Sequence, residues 1–303
     1  MTFDVVVDSQ FLELIDGEEF SGGSNKFVKS ILNDYESGKW RYDLFNEYIW
    51  DNIQFAALSS AERESAIYKP QTKLKQSARN LRITKSRQDP GRGGEIAEIL
   101  LYGIMMEYFK ALPIVPKIFY KQNANDFAKG ADSVHLVLNN DDFTIWFGEA
   151  KFYNDINDTR LDTIIESIGN MLEDKKIKKE NSIIISNGDL QSLVSDKVVY
   201  EKIKSFLRQE MSLDELKPKL NIPIMLLHEC DITNSSTRYT EEYKSNIKKY
   251  HKDRAYSFFK KQILMLSNVS LYEEIKFHLI LFPVPKKSNI VEAFIKNANY
   301  YRE

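Results

Sequence analysis

The segment Phe143-Thr144-Ile145-Trp146-Phe147-Gly148-Glu149-Ala150-Lys151 constrains the fold more than any other. Side chains alternate faces along a strand, so Phe143, Ile145 and Phe147 share one face, while Trp146, Gly148 and Ala150 share the other. A strand that is apolar on both faces is an interior strand and needs a layer on each side of its sheet. The row of Phe143 nevertheless runs on into Glu149 and Lys151. Burying either charge alone is costly, so the two must meet a partner, a metal ion or solvent in a cleft.

The remaining sequence supplies the layers. Three- and four-residue apolar steps predict helices over 25–36, 41–57, Glu95–Phe109 and 159–174. Strand-like runs lie at Lys117–Lys121, Ser133–Leu138, Phe143–Phe152, Ser182–Ile185, Ile222–Leu227 and Phe277–Phe282. Ser59-x-x-Glu62 has the form of a capping box, and Asn139-Asn140-Asp141-Asp142 that of a hairpin turn. The strongest break is Asp89-Pro90-Gly91-Arg92-Gly93-Gly94. The expected organisation is a mainly helical, acidic and aromatic region over 1–88, suited to docking a partner, followed by an α/β (α+β) domain over 89–303 with a mixed central sheet flanked by helices. With 303 residues, 43% of them hydrophobic, the chain can bury a large core. No run approaches the ~20 apolar residues of a membrane span. The N-terminus lacks the basic start and apolar core of a signal peptide. Cys230 is the single cysteine, which excludes an internal disulfide and a cysteine zinc site and predicts a reducing, cytoplasmic setting.

A second carboxylate belongs beside the first pair. Residues 132 and 149 are equally far from the centre of the hairpin turn, so pairing brings Asp132 to Glu149. Glu95 and Glu98, spaced i,i+3 on the earlier helix opened by Gly93-Gly94, share a face and offer a third acid. Alone, Glu-x-Lys is usually a surface ion pair and an Asp beside Gly a turn residue. The ordered conjunction is what points to chemistry: helix Glu, strand-start Asp, then Glu-x-Lys on an interior strand. Carboxylate oxygens suit Mg²⁺ or Mn²⁺. Such an ion lowers the pKa of a bound water and offsets charge on a phosphate, while a lysine orients water or stabilises developing negative charge.

The net charge of −2 conceals segregation. Residues 1–60 hold eleven acids against four bases, whereas 69–92 hold eight bases against Asp89 alone. A second basic stretch covers 244–261. Clustered bases of this kind suit a phosphate backbone, or else form a solvated face. Arg92 reads as a solvated residue of a flexible connection. His135 points away from Asp132 and reads as a satisfied core histidine. The four histidines lack zinc-type spacing, and no phosphate-binding Gly-Lys-Ser/Thr loop is present, so an ATP-driven motor would be another chain.

Glu98, Gly130-Ala131-Asp132 and Glu149-Ala150-Lys151 resemble the PD-(D/E)xK nuclease superfamily, with Ala131 where that pattern has Pro. The segments GRGGEIAEILLYGIMMEYF, KGADSVHLVL and FTIWFGEAKFYNDI resemble, more closely, the HamA family of nuclease subunits from the Hachiman anti-phage defence system. The resemblance implies a restriction-endonuclease-like core and a magnesium-dependent deoxyribonuclease. It implies Asp132, Glu149 and Glu98 as ligands of Mg²⁺ (or Mn²⁺), Lys151 as the catalytic lysine, and Glu95 as rival to Glu98. It further implies DNA as substrate and a superfamily-2 helicase of the HamB type as a restraining partner. The alternative is a catalytically silent subunit of the same fold that positions the helicase.

Overall fold

The computed structural model describes residues 3–15, 20, 22–65, 68–82, 93–120, 130–140, 142–208 and 210–303. The strands are β1 (Asp4–Gln10), β2 (Lys26–Leu32), β3 (Tyr35–Glu36), β4 (Lys39–Trp40), β5 (Leu112–Val115), β6 (Ser133–Asn139), β7 (Asp142–Tyr153), β8 (Leu220–Glu229) and β9 (Lys276–Val284). The helices are α1 (Phe11–Leu14), α2 (Tyr42–Ala57), α3 (Ser60–Glu64), α4 (Pro70–Arg79), α5 (Gly94–Phe109), α6 (Lys117–Tyr120), α7 (Asp158–Met171), α8 (Asp174–Ser186), α9 (Asp189–Leu193), α10 (Lys197–Phe206), α11 (Leu213–Leu216), α12 (Asp231–Ser235), α13 (Glu241–Leu266) and α14 (Lys287–Arg302).

Seven strands form one mixed sheet in the order β1-β2-β9-β8-β7-β6-β5, and β3 and β4 pair separately. β2, β9, β8 and β7 run parallel; β1, β6 and β5 join antiparallel at the two edges. The mixed α/β fold expected from the sequence is the fold found. β7 is interior, as its two apolar faces require. Phe143, Ile145 and Phe147 pack against Ile164, Ile165 and Ile168 of α7 and Phe258 of α13 in one core. Trp146, Ala150 and Phe152 pack with Ile96, Leu100 and Leu101 of α5, Ile49 of α2 and Phe294 of α14 in the other. Each fully buried side chain of this size stabilises the fold by ~1.5–3 kcal/mol.

Local chemistry explains several boundaries. Ser59 and Glu62 form the reciprocal capping box that starts α3. Asn157 accepts from the Arg160 amide and caps α7. Pro113 sits within β5, which is an edge strand with a register shift beside that residue, where a missing N–H is tolerated.

Three expected elements differ. Residues 26–32 are a strand, not part of a helix over 25–36: Val28 and Ile31 are β-branched, and the segment pairs with β9, about 250 residues away in sequence, a contact no local pattern announces. Lys117–Tyr120 is helical rather than extended, the strand of this region being Leu112–Val115 (Lys121 lies outside the described residues). Ser182–Ile185 is the last turn of α8, in which Ile177 and Ile184 are buried, not a short strand; a three-isoleucine run fits either period. Among the described residues, no helix is long and apolar enough to cross a membrane.

Candidate active site

The β6–β7 hairpin has the register expected from the turn. Ser133 faces Gly148, and one step beyond, the Asp132 amide donates to the Gly148 carbonyl at 2.7 Å. Gly148 is required here, since a Cβ would lie 2.1 Å from Ser133 Oγ and 2.7 Å from Leu101 Cδ2. Asp132 Oδ2 accepts from the Ala150 amide at 3.1 Å. Glu149 Oε1 accepts from Ser167 Oγ of α7 at 2.6 Å. Lys151 Nζ bridges the two acids, 2.5 Å from Glu149 Oε1 and 3.4 Å from Asp132 Oδ2. The structure therefore brings together Asp132, Glu149 and Lys151.

The three groups differ in access. The Glu149 side chain is 4% exposed, that of Asp132 18% and that of Lys151 29%, so solvent reaches the cluster through the aspartate and the lysine. Burial, reinforced by Asp132, holds the Glu149 carboxyl above its ordinary range. Burial alone would lower Lys151; the charges of Asp132 and Glu149 overcome that and hold its ammonium above the ordinary range. Two carboxylates share one ammonium, which leaves the cluster with excess negative charge when all three are ionised. Their hard oxygen donors suit Mg²⁺ or Mn²⁺, and that excess charge favours a cation.

Glu98 is buried on α5. That helix covers the Trp146–Ala150 face of the sheet, whereas the Glu149 row faces α7. Among the described residues, no three His, Cys, Asp or Glu side chains lie close enough together to hold a metal ion, so Glu98 does not complete such a group with Asp132 and Glu149. Its rival Glu95 accepts two hydrogen bonds from the Arg82 amide, at 2.8 and 3.0 Å. His135 is a core residue on the face opposite Asp132, as expected, packed 4.6 Å from the Tyr102 ring. It is not a satisfied one: neither ring nitrogen has a hydrogen-bond partner, and burial lowers its pKa to about 3. Arg92 lies outside the described residues.

Sequence reasoning missed a second layer of support. Lys117 Nζ binds both oxygens of Glu180, at 2.7 and 2.6 Å, with side chains 0% and 2% exposed. Glu180 Oε1 also accepts from the Ala131 amide at 3.1 Å, so this buried pair grips the turn that carries Asp132. Gly130 leaves room for that carboxylate, which would stand 2.0 Å from a Cβ. Nothing in the sequence links positions 117, 131 and 180. Ser167 had a faint signal, as a polar residue next to Ile168 on an otherwise apolar stripe.

The basic stretch at 244–261 is partly committed within the molecule. Lys244 pairs with Glu241 at 2.8 Å, Arg254 with Asp158 at 3.0 Å, and Lys261 with Asp162 at 2.8 Å. Of the other stretch, residues 83–92 lie outside the described residues.

The family model HamA matches residues 8–298. The chain belongs to the HamA family. The match extends beyond the β6–β7 hairpin to nearly all of the sheet, including β9 and most of α14. As a HamA-family protein, the chain has a role in anti-phage defence as a component of the Hachiman system. A search of curated proteins finds no match.

Proposed function

We propose that this HamA-family chain is a metal-dependent deoxyribonuclease, the effector of its defence complex, which hydrolyses phosphodiester bonds with little sequence preference. The observation that supports this reading is the Asp132–Lys151–Glu149 cluster, two carboxylates and one ammonium at the rim of a buried sheet. Asp132 and Glu149 would hold Mg²⁺ or Mn²⁺. When bound, the ion supplies an activated water and offsets phosphate charge. Lys151 orients the attacking water or stabilises the charge that develops on the phosphate. The Ala150 amide fixes the Asp132 rotamer and Ser167 fixes that of Glu149, so neither acid needs to reorganise on binding. Nothing in the chain resembles a base-reading module, hence the weak sequence preference. An unrestrained nuclease endangers its host, hence a helicase partner that inhibits it at rest.

Plasmid cleavage with Mg²⁺ tests the reading. Glu149→Ala and Lys151→Ala are expected to lose at least ~10²-fold in rate while keeping the wild-type circular dichroism spectrum. Undiminished cleavage by either variant would sink the assignment. The closed carboxylate–ammonium contacts, with no third acid beside them among the described residues, favour a second reading: a catalytically silent subunit that positions the helicase. Calorimetric titration with Mg²⁺ and Mn²⁺ separates the two, because the silent subunit binds neither.

A further inference from the structure

The row of side chains that contains Glu149 and Lys151 continues to Tyr153, ~6.5–7 Å further along the same face of β7. The Tyr153 ring carries the guanidinium of Arg160, whose Cζ is 5.2 Å from the ring centroid. Tyr153 lies within electrostatic reach of Asp132, Glu149, Lys151 and Arg160 alike, so its ring links the arginine to the cluster along one face of β7. Arg160 is exposed in the first turn of α7. Its backbone amide serves the Asn157 cap, but among the described residues no carboxylate pairs with its side chain. In this it differs from Arg254 and Lys261, whose cations are closed by Asp158 and Asp162 of the same helix α7. On the far side of β7, Lys287 donates to the Phe152 carbonyl at 2.7 Å and lies over the Phe152 ring at 5.1 Å. Glu229 accepts from the Lys287 amide at 2.6 Å and attracts its ammonium, while Arg160 repels it. Arg160 and Lys287 thus lie within each other's electrostatic field from opposite faces of β7, and the Lys287 ammonium is committed to the Phe152 carbonyl while the Arg160 guanidinium rests on an aromatic ring.

We propose that Arg160, braced on the Tyr153 ring, is a phosphate clamp that takes the DNA backbone phosphate next to the one held at Asp132, Glu149 and Lys151. The inference rests on the nuclease reading and adds to it the residue that holds the neighbouring phosphate. A guanidinium offers two parallel N–H donors to phosphate oxygens, and the aromatic platform limits the side-chain freedom lost on binding. A contact to phosphate fixes the register of the strand without reading its bases.

The test uses the full chain, a fluorescent DNA duplex and a salt series without divalent ions. Arg160→Gln is expected to weaken binding and to make the slope of log K against log salt shallower by ~0.9, one phosphate contact. With Mg²⁺, its KM for DNA should rise several-fold while kcat changes less, and calorimetric Mg²⁺ binding should match wild type. Tyr153→Phe should retain wild-type binding, and Tyr153→Ala should behave like Arg160→Gln. An unchanged slope and KM in Arg160→Gln, with wild type cleaving DNA, overturns the clamp alone. An Arg160-dependent slope in a wild type that never cuts upholds the clamp and overturns the nuclease reading.

Discussion

Glu149 concentrates the conflict at this site between stability and chemistry. Its carboxyl is almost wholly buried, and burial together with Asp132 raises its pKa above the ordinary 4.5. A raised carboxyl pKa in the folded state means that folding favours the protonated form. The stability tied to that form is present below pH 4.5 and is lost as pH rises through the folded-state value. Ionisation of Glu149 therefore works against folding. Glu149→Gln is expected to raise the melting temperature at pH 7, to show no such gain near pH 4, and to lose cleavage. A lower melting temperature at pH 7 would show that the Lys151 contact outweighs burial. The adjacent Gly148 is constrained by space: Gly148→Ala must displace Ser133 and Leu101 and is expected to destabilise by ~1–3 kcal/mol in urea denaturation.

Among the elements, the β6–β7 hairpin holds the Asp132–Glu149–Lys151 cluster and α6 and α8 hold the hairpin. The Lys117–Glu180 pair joins those two helices to the Ala131 amide. A buried ion pair is weak evidence for stability, but removing one partner strands the other charge in an apolar interior. Lys117→Met alone is expected to cost ~3–5 kcal/mol by denaturant unfolding. The double variant Lys117→Met with Glu180→Leu should recover most of that loss. Activity should not recover with it, because the Ala131 amide has lost its acceptor and the Asp132 turn is no longer held. Full recovery of cleavage in the double variant would restrict the pair to a role in packing. The hairpin itself was legible in the sequence, because Asn139 to Asp142 marks the turn and period-two alternation sets the faces. The Lys117–Glu180 brace was not, because its partners come from helices 63 residues apart.

On the scale of the whole molecule, all four histidines are held neutral. Burial lowers His135 and His278 to about 3, His228 to about 4 and His251 well below 6.5. His228 donates from Nδ1 to the Glu229 carbonyl, so its Nε2 must accept from His251 Nε2 at 3.2 Å. His251 Nδ1 then accepts from Ser30 Oγ at 2.6 Å. This relay ties β8, α13 and β2 together. The unfolded chain binds protons at its histidines near pH 6.5; in the folded chain His135, His228 and His278 do not until about 3–4, and His251 only well below 6.5. The stability these groups contribute is therefore complete above pH 6.5 and is lost as pH falls through that window, by ~1.4 kcal/mol per pH unit for each histidine. Denaturant unfolding between pH 7 and 4.5 should show a steep loss; a flat profile would contradict the buried neutral assignment.

The sequence held whatever depends on neighbouring residues: the apolar three- and four-residue steps of α2, α5 and α7, the Ser59–Glu62 box, the buried character of β7 and the approach of Asp132 to Glu149 across one turn. These follow from side-chain period and turn geometry, which act over a few residues. The folded chain settled what depends on distant partners. Residues 26–32 became a strand because β9 presented an edge to them, Glu180 became a brace because α8 lies over the Gly130 turn, and Arg160 came to rest on the Tyr153 ring because α7 starts where β7 ends. Such contacts close loops of tens to hundreds of residues, and their energies reside in surfaces that exist only once the sheet has assembled.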